Sequence, residues 1–137
     1  MWCKVGVIAS LMLVSMVTYA DYDNRKCMDS AKTNLDMKRC SATAYQKAMS
    51  ELDSIYNRLI NSCKKSEGLN ATVIFERLKQ SQNSWIVYRD ANCSLLASSM
   101  LGGSGESLIQ SECLVEMTET RILELKKLEN KSLKDGC

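Results

Sequence analysis

Met37, Cys40, Ala44, Ala48, Leu52, Ile55, Leu59 and Cys63 follow one another at spacings of three or four residues, with no breaker between them. An α-helix turns once in about 3.6 residues, so these side chains form one stripe along one face. The chain has no Pro and only six Gly, which leaves few positions able to interrupt such a helix. The spacing predicts a helix over 33–63. Thr33 and Asp36 resemble a capping box at its start, with Asp in place of the longer Glu. Gly68, in "KKSEGLN", ends the pattern.

Two further helices are expected. Asn70 is a candidate N-cap for a helix over 71–98, with Ile74, Leu78, Trp85 and Tyr88 on its buried face. "LGGSGES" is the clearest loop in the chain. A third helix is expected over 107–130, with Leu114, Met117, Arg121, Leu125 and Leu128 as its stripe. Lys126, Lys127 and Lys131 near its end complement the helix dipole. Short connections make neighbouring helices antiparallel. The expected fold is all-α, with three long antiparallel helices in a disulfide-stapled bundle.

The opening "MWCKVGVIASLMLVSMVTYA" carries Lys4, an apolar run from Val5 to Val17 and small residues at Thr18 and Ala20. The run is shorter than the roughly 20 residues that span a bilayer. It has the form of a secretory signal peptide cleaved after Ala20, followed directly by Asp21 and not by a Cys that could carry a lipid. The mature chain, 21–137, is then one domain, periplasmic or secreted and not inserted in a membrane. Loss of Lys4 leaves it one basic residue short of the 18 in the whole chain, against 16 acids. That balance argues against nucleic acid as a partner and against bulk electrostatic steering.

Six cysteines follow the leader: Cys27, Cys40, Cys63, Cys93, Cys113 and Cys137. An even number in a small exported protein reads as a disulfide framework. With no His and no Cys-x-x-Cys pair, no metal or other cofactor is expected. The antiparallel order puts Cys63 and Cys137 at one end of the bundle and the other four at the opposite end. Three pairings remain open for those four. Cys27–Cys40 and Cys93–Cys113 are favoured, the first pinning the N-terminal segment and the second clasping the Gly-rich loop. Closing a loop of the second size restrains the unfolded chain by on the order of 3 kcal/mol.

The stretch "SQNSWIVYRDANCSLL" concentrates Gln82, Trp85, Tyr88, Arg89, Asp90 and Cys93. These are read as structural parts. Aromatic residues at helical spacing pack a core, and Cys93 forms a cross-link. Arg89 and Asp90 are sequence neighbours pointing about 100° apart on a helix, so each is expected to pair elsewhere. Without His, the usual catalytic triads are excluded, and no pair of carboxylates is marked out by its context. The chain is read as no enzyme.

Those residues form the pattern Leu78-x-x-x-Gln82-x-x-Trp85-Ile86-x-Tyr88-Arg89-Asp90-x-x-Cys93. Gly102-Gly103-Ser104 follows, then Cys113-Leu114-x-x-Met117-Thr118-x-x-Arg121-x-x-x-Leu125. Met37-x-x-Cys40 and Leu52-Asp53-x-x-Tyr56-x-x-Leu59 lie upstream. Over roughly residues 27–128 the chain resembles the LprI-like lysozyme inhibitor family of bacterial exported proteins. It departs from the family pattern at Met49 and Asp53, lacks a lipidation Cys, and adds Cys63 and Cys137. The resemblance implies a lysozyme as protein partner and inhibition by obstruction of its catalytic cleft. An envelope or secreted interaction module with another protein partner is the alternative. Gly102, Gly103, Ser104, Gly105 and Glu106 are the candidate partner-binding residues. The glycines permit close backbone approach, with Gly103 a candidate for positive φ. The Ser104 hydroxyl suits a cleft carboxylate, and Glu106 suits a cation on the cleft rim.

Overall fold

The computed structural model describes residues 19–131, with side chains from 23 to 130. The leader segment before residue 19 and Cys137 lie outside the described residues. The fold is an all-α bundle of α1 (Tyr19–Ser30), α2 (Asn34–Lys65), α3 (Ala71–Ala97) and α4 (Glu106–Lys131), with a 3₁₀ turn at Ser98–Met100.

α2 begins where the sequence says it should. Thr33 accepts from the Asp36 amide, and the Asp36 carboxylate accepts from the Thr33 amide at 3.0 Å, so both halves of the capping box form. Asn70 sits at the N-terminal boundary of α3, but its side chain makes no capping bond. The entry to α3 is held instead by the Ala71 amide donating to the Gly68 carbonyl at 3.0 Å.

α2 packs against all three other helices, most extensively against α4. The predicted α2 stripe is buried from Cys40 to Cys63, with Leu52, Ile55 and Leu59 at 2% exposure or less. Leu78 from α3 and Ile122 and Leu125 from α4 complete this core. Three expectations need correction. α1 is a fourth helix, where only a pinned segment was expected. It has no apolar stripe to advertise it, and it is held by the Cys27–Cys40 disulfide and an Asp23–Lys47 ion pair. On α4 the buried stripe runs through Val115, Thr118, Ile122 and Leu125, beside Arg121, and Leu128 is exposed. On α3 the buried positions are Ala71, Leu78, Gln82, Arg89, Cys93 and Ala97. Trp85 is therefore half-buried rather than buried, and Tyr88 is 61% exposed. The face of α3 that is buried carries small, polar and sulfur-bearing residues, and its aromatic groups lie toward the edge.

Cys27–Cys40 and Cys93–Cys113 are both formed, with Cα separations of 5.7 and 5.5 Å, normal values for a disulfide. Both lie at the end of the bundle that holds the 98–105 connection. Cys63 is buried near the opposite end, where pairing with Cys137 would tie the C-terminal tail to α2. Peptide mapping of non-reduced protein is expected to recover a Cys63–Cys137 peptide. A free thiol at either position would refute that link.

The Thr33 hydroxyl and the Thr33 and Lys32 amides hold the Asp36 carboxyl below its ordinary 3.8. Arg58 similarly lowers Glu129, bonded in two places at 2.8 and 3.1 Å. A folded-state pKa below the unfolded one favours folding fully above the unfolded value, and that contribution is lost as pH falls through the folded value. The urea midpoint is therefore expected to hold near neutrality and to decline below about pH 4.5, the ordinary Glu129 value. A midpoint unchanged down to pH 3 would contradict these contacts.

Candidate functional site

The candidate site is the hairpin formed by α3, the 98–105 connection and α4. At its base, α3 and α4 are joined by a polar cluster. Arg121 and Gln82 are both buried. Arg121 Nε donates to Gln82 Oε1 at 3.1 Å, its Nη2 donates to Ser81 Oγ at 2.8 Å, and its Nη1 pairs with Glu124 at 2.8 Å. The Trp85 ring faces the guanidinium groups of Arg121 and Arg89, 5.8 and 4.9 Å from its centroid. Arg89 is 5% exposed and also lies over the Tyr45 ring of α2 at 5.6 Å, with Nη1 at 3.2 Å from Met49 Sδ.

Arg89 and Asp90 do pair, against expectation, with Nη2 and Oδ1 at 2.7 Å. The 100° between neighbouring positions is spanned because the Arg89 stem is long. It lies buried while its head turns back to a carboxylate on the exposed rim. Cation–π contacts gain strength as water is removed, and the ring contacts supply partners for a guanidinium that meets only one carboxylate.

Farther along, Cys93 is fully buried and bonded to Cys113, with Met117 Sδ at 3.7 Å from its sulfur. The connection beyond is tightly built. Gly102 has φ +72°, a conformation that only Gly adopts at little cost. The positive φ thus falls at Gly102, not at Gly103. A Cβ on Gly103 would sit 3.0 Å from the Met100 carbonyl oxygen, and one on Gly105 would sit 3.0 Å from the Met100 methyl. Gly102 and Gly103 are thus needed by the turn itself, whereas at Gly105 the Met100 side chain would have to shift. Glu106 turns its carboxylate back to accept from the Gly102 amide at 2.8 Å. Ser104 Oγ accepts from Asn34 Nδ2 at 3.3 Å, tying the connection to the start of α2. Its own hydroxyl proton remains available to donate. The five predicted residues are therefore brought together in one compact turn, and Glu106 serves its shape.

Two features of this hairpin escape a reading of total charge and hydropathy. Between residues 80 and 120 the only basic residue is Arg89, whereas Asp90, Glu106, Glu112, Glu116 and Glu119 are acidic. The hairpin end is thus acidic in a near-neutral chain. Large apolar side chains also stand out into solvent there: Leu95, Leu96, Met100 and Leu101, the last 78% exposed. A local count of charge along the sequence finds the first feature. The second requires knowing which face of α3 is turned outward. Among the described residues no cluster of His, Cys, Asp and Glu is arranged to hold a metal ion, and no helix is long and apolar enough to cross a membrane.

Residues 27–125 match the family model described as lysozyme inhibitor LprI. The chain belongs to the LprI lysozyme inhibitor family. An uncharacterized protein of Rhizobium meliloti (strain 1021) is 33% identical over 104 residues, covering 72% of this chain and 75% of that protein. No solved structure matches. The LprI match contains both described disulfides, the Trp85 cluster and the whole 98–105 connection. The LprI family is one of inhibitors, not of enzymes.

The Trp85 cluster yields a stability prediction. Trp85→Ala is expected to cost roughly 3 kcal/mol, the low end for large-to-small changes because the ring is half-buried. Trp85→Phe, which keeps a ring between the two arginines, is expected to cost less. Urea denaturation measures both, and an unchanged midpoint for Trp85→Ala would separate the ring from the packing.

Proposed function

We propose that this LprI-family chain inhibits a cationic lysozyme by laying the clasped end of the α3–α4 hairpin over the catalytic cleft. The observation that carries this reading is the combination found at that end: exposed apolar side chains and an acidic balance on a rigid, disulfide-clasped support. Apolar area supplies affinity on burial, and local negative charge steers a positive partner even when the whole chain is near neutral. The Cys93–Cys113 bond and the Glu106–Gly102 hydrogen bond hold the turn in shape before contact, which lowers the ordering cost of association. Glycosidases place two carboxylates about the scissile bond, and the Ser104 hydroxyl is a suitable donor to one of them. The disulfides suit an oxidising compartment. Export with cleavage after Ala20, leaving a periplasmic or secreted protein, accords with the leader pattern.

The test is residual lysozyme activity on cell walls, titrated with folded protein against a panel of cationic lysozymes. Gly102 and Gly103 are poor positions to alter, because the turn needs both. Ser104→Trp and Leu101→Asp change only exposed groups. Both are expected to abolish inhibition while helix content stays unchanged. Ser104→Ala is expected to weaken inhibition by about 1.5–3 kcal/mol, the worth of one hydrogen bond to a charged group. Equal inhibition by wild type and all three variants would move the binding surface elsewhere. A wild type that inhibits none of the panel would refute lysozyme inhibition for this chain.

A further inference from the structure

Beside the polar cluster, α3 and α4 line an open groove of about 360 Å³. Its lining includes Trp85, Tyr88, Leu96, Met117, Glu116 and Glu124. The charges around it divide cleanly. Arg89 is matched by Asp90, and Arg121 by Glu124. The Glu116 carboxylate makes no ion pair or hydrogen bond with any described residue, Glu116 taking only a bond from the Thr120 hydroxyl to its backbone carbonyl, so that carboxylate is the unbalanced charge of the groove. The Trp85 ring already meets two guanidinium groups, but Tyr88, 61% exposed, presents a ring that none of the described cations covers. Met117 and Leu96 give the groove apolar surface against which an alkyl stem can lie. Carboxylate, open aromatic face and apolar surface are the three features that a long cationic side chain satisfies at once, with its head at the carboxylate and its stem on the apolar surface.

We propose that this groove seats an arginine or lysine side chain of the protein partner, with Glu116 as counter-charge and Tyr88 as aromatic wall. The proposal rests on the reading of the α3–α4 hairpin as the docking end. It adds a specific anchor, some distance along the hairpin from the Gly-rich turn. Guanidinium and ammonium heads share the required chemistry, and arginine is favoured because its planar head both stacks on a ring and bonds a carboxylate.

Trp85 lines the groove and is the one tryptophan of residues 21–137. In protein of residues 21–137, Trp85 emission therefore reports occupancy directly. The first probe is a triarginine peptide, with a tricitrulline peptide of the same shape and no charge as control. Triarginine is expected to shift the emission saturably, and tricitrulline is not. Glu116→Gln is expected to weaken the triarginine response about tenfold or more, the loss of a hydrogen bond to a charged group, and Glu116→Lys to abolish it. Tyr88→Leu, which keeps apolar bulk and removes the ring, is expected to weaken it less. Both positions are exposed, so folding should be unchanged.

The second readout is lysozyme inhibition by the same variants. Inhibition retained in full by Glu116→Lys, with no triarginine response in wild type, would overturn the groove proposal and leave the inhibitor reading standing. A triarginine response lost in Glu116→Lys would support the groove even if no lysozyme is inhibited. Equal responses to triarginine and tricitrulline would overturn it.

Discussion

The apolar seam of α2 is the constraint on which the bundle depends. Leu52, Ile55, Leu59 and Leu125 are withdrawn from solvent almost completely, and α2 alone touches the other three helices. A stripe of such length has few ways to be covered. Two antiparallel helices cover it if each turns its own narrow, buried row inward. On α3 that row is completed by Ala71, Cys93 and Ala97, and on α4 by Val115 and Thr118. Small residues at these places let the backbones approach closely, and this displaces the bulky rings of Trp85 and Tyr88 to the flank.

A second consequence is the polar cluster between α3 and α4. Burying Gln82, Arg89 and Arg121 carries a desolvation cost, and a buried ion pair is by itself weak evidence of stability. What the cluster supplies is register. Arg121 bonds Gln82, Ser81 and Glu124 at once, and a slip of α4 by one turn would break both bonds to α3, leaving Gln82 without its partner and Arg121 with only Glu124 of its own helix. Surface pairs such as Lys126–Glu51 and Arg58–Glu129 contribute less, as exposed ion pairs generally do. The hairpin is held at its base by directional bonds and at its far end by a covalent one. This fixes the relation between the Gly-rich turn and the groove.

Much of this was legible from residue order. The α2 stripe, the capping box, the three long helices and the end at which four cysteines gather follow from periodicity and connection length. Recognition of the Gln82-to-Leu125 pattern pointed to the family. Three things were hidden for separate reasons. α1 carries no apolar periodicity, and a disulfide and an ion pair fasten it to α2. The inward face of α3 was misjudged because hydropathy ranks Trp85 and Tyr88 above Gln82 and Arg89, whereas the neighbours on α2 and α4 offer partners to the polar pair. The Arg89–Asp90 bond depends on side-chain reach, which angular spacing along a helix does not describe. For the candidate site, sequence located the turn but not the side chains that stand out beside it.

The two described disulfides have an arrangement with its own implication. Cys27–Cys40 joins α1 to α2, and Cys93–Cys113 joins α3 to α4. Neither crosses between the pairs. The molecule is therefore two covalently closed hairpins, and among the described cross-links nothing but the segment from Ser66 to Asn70 connects them. A single cut in that segment would leave two separately stapled pieces that still meet through the α2 seam and through the Arg58–Glu129 and Lys126–Glu51 pairs. Two copies of the chain could exchange hairpins across the same short linker without breaking either staple. Cys63 is buried on α2 next to that linker, and its pairing with Cys137 would be the covalent bond that joins the two stapled hairpins outside the backbone.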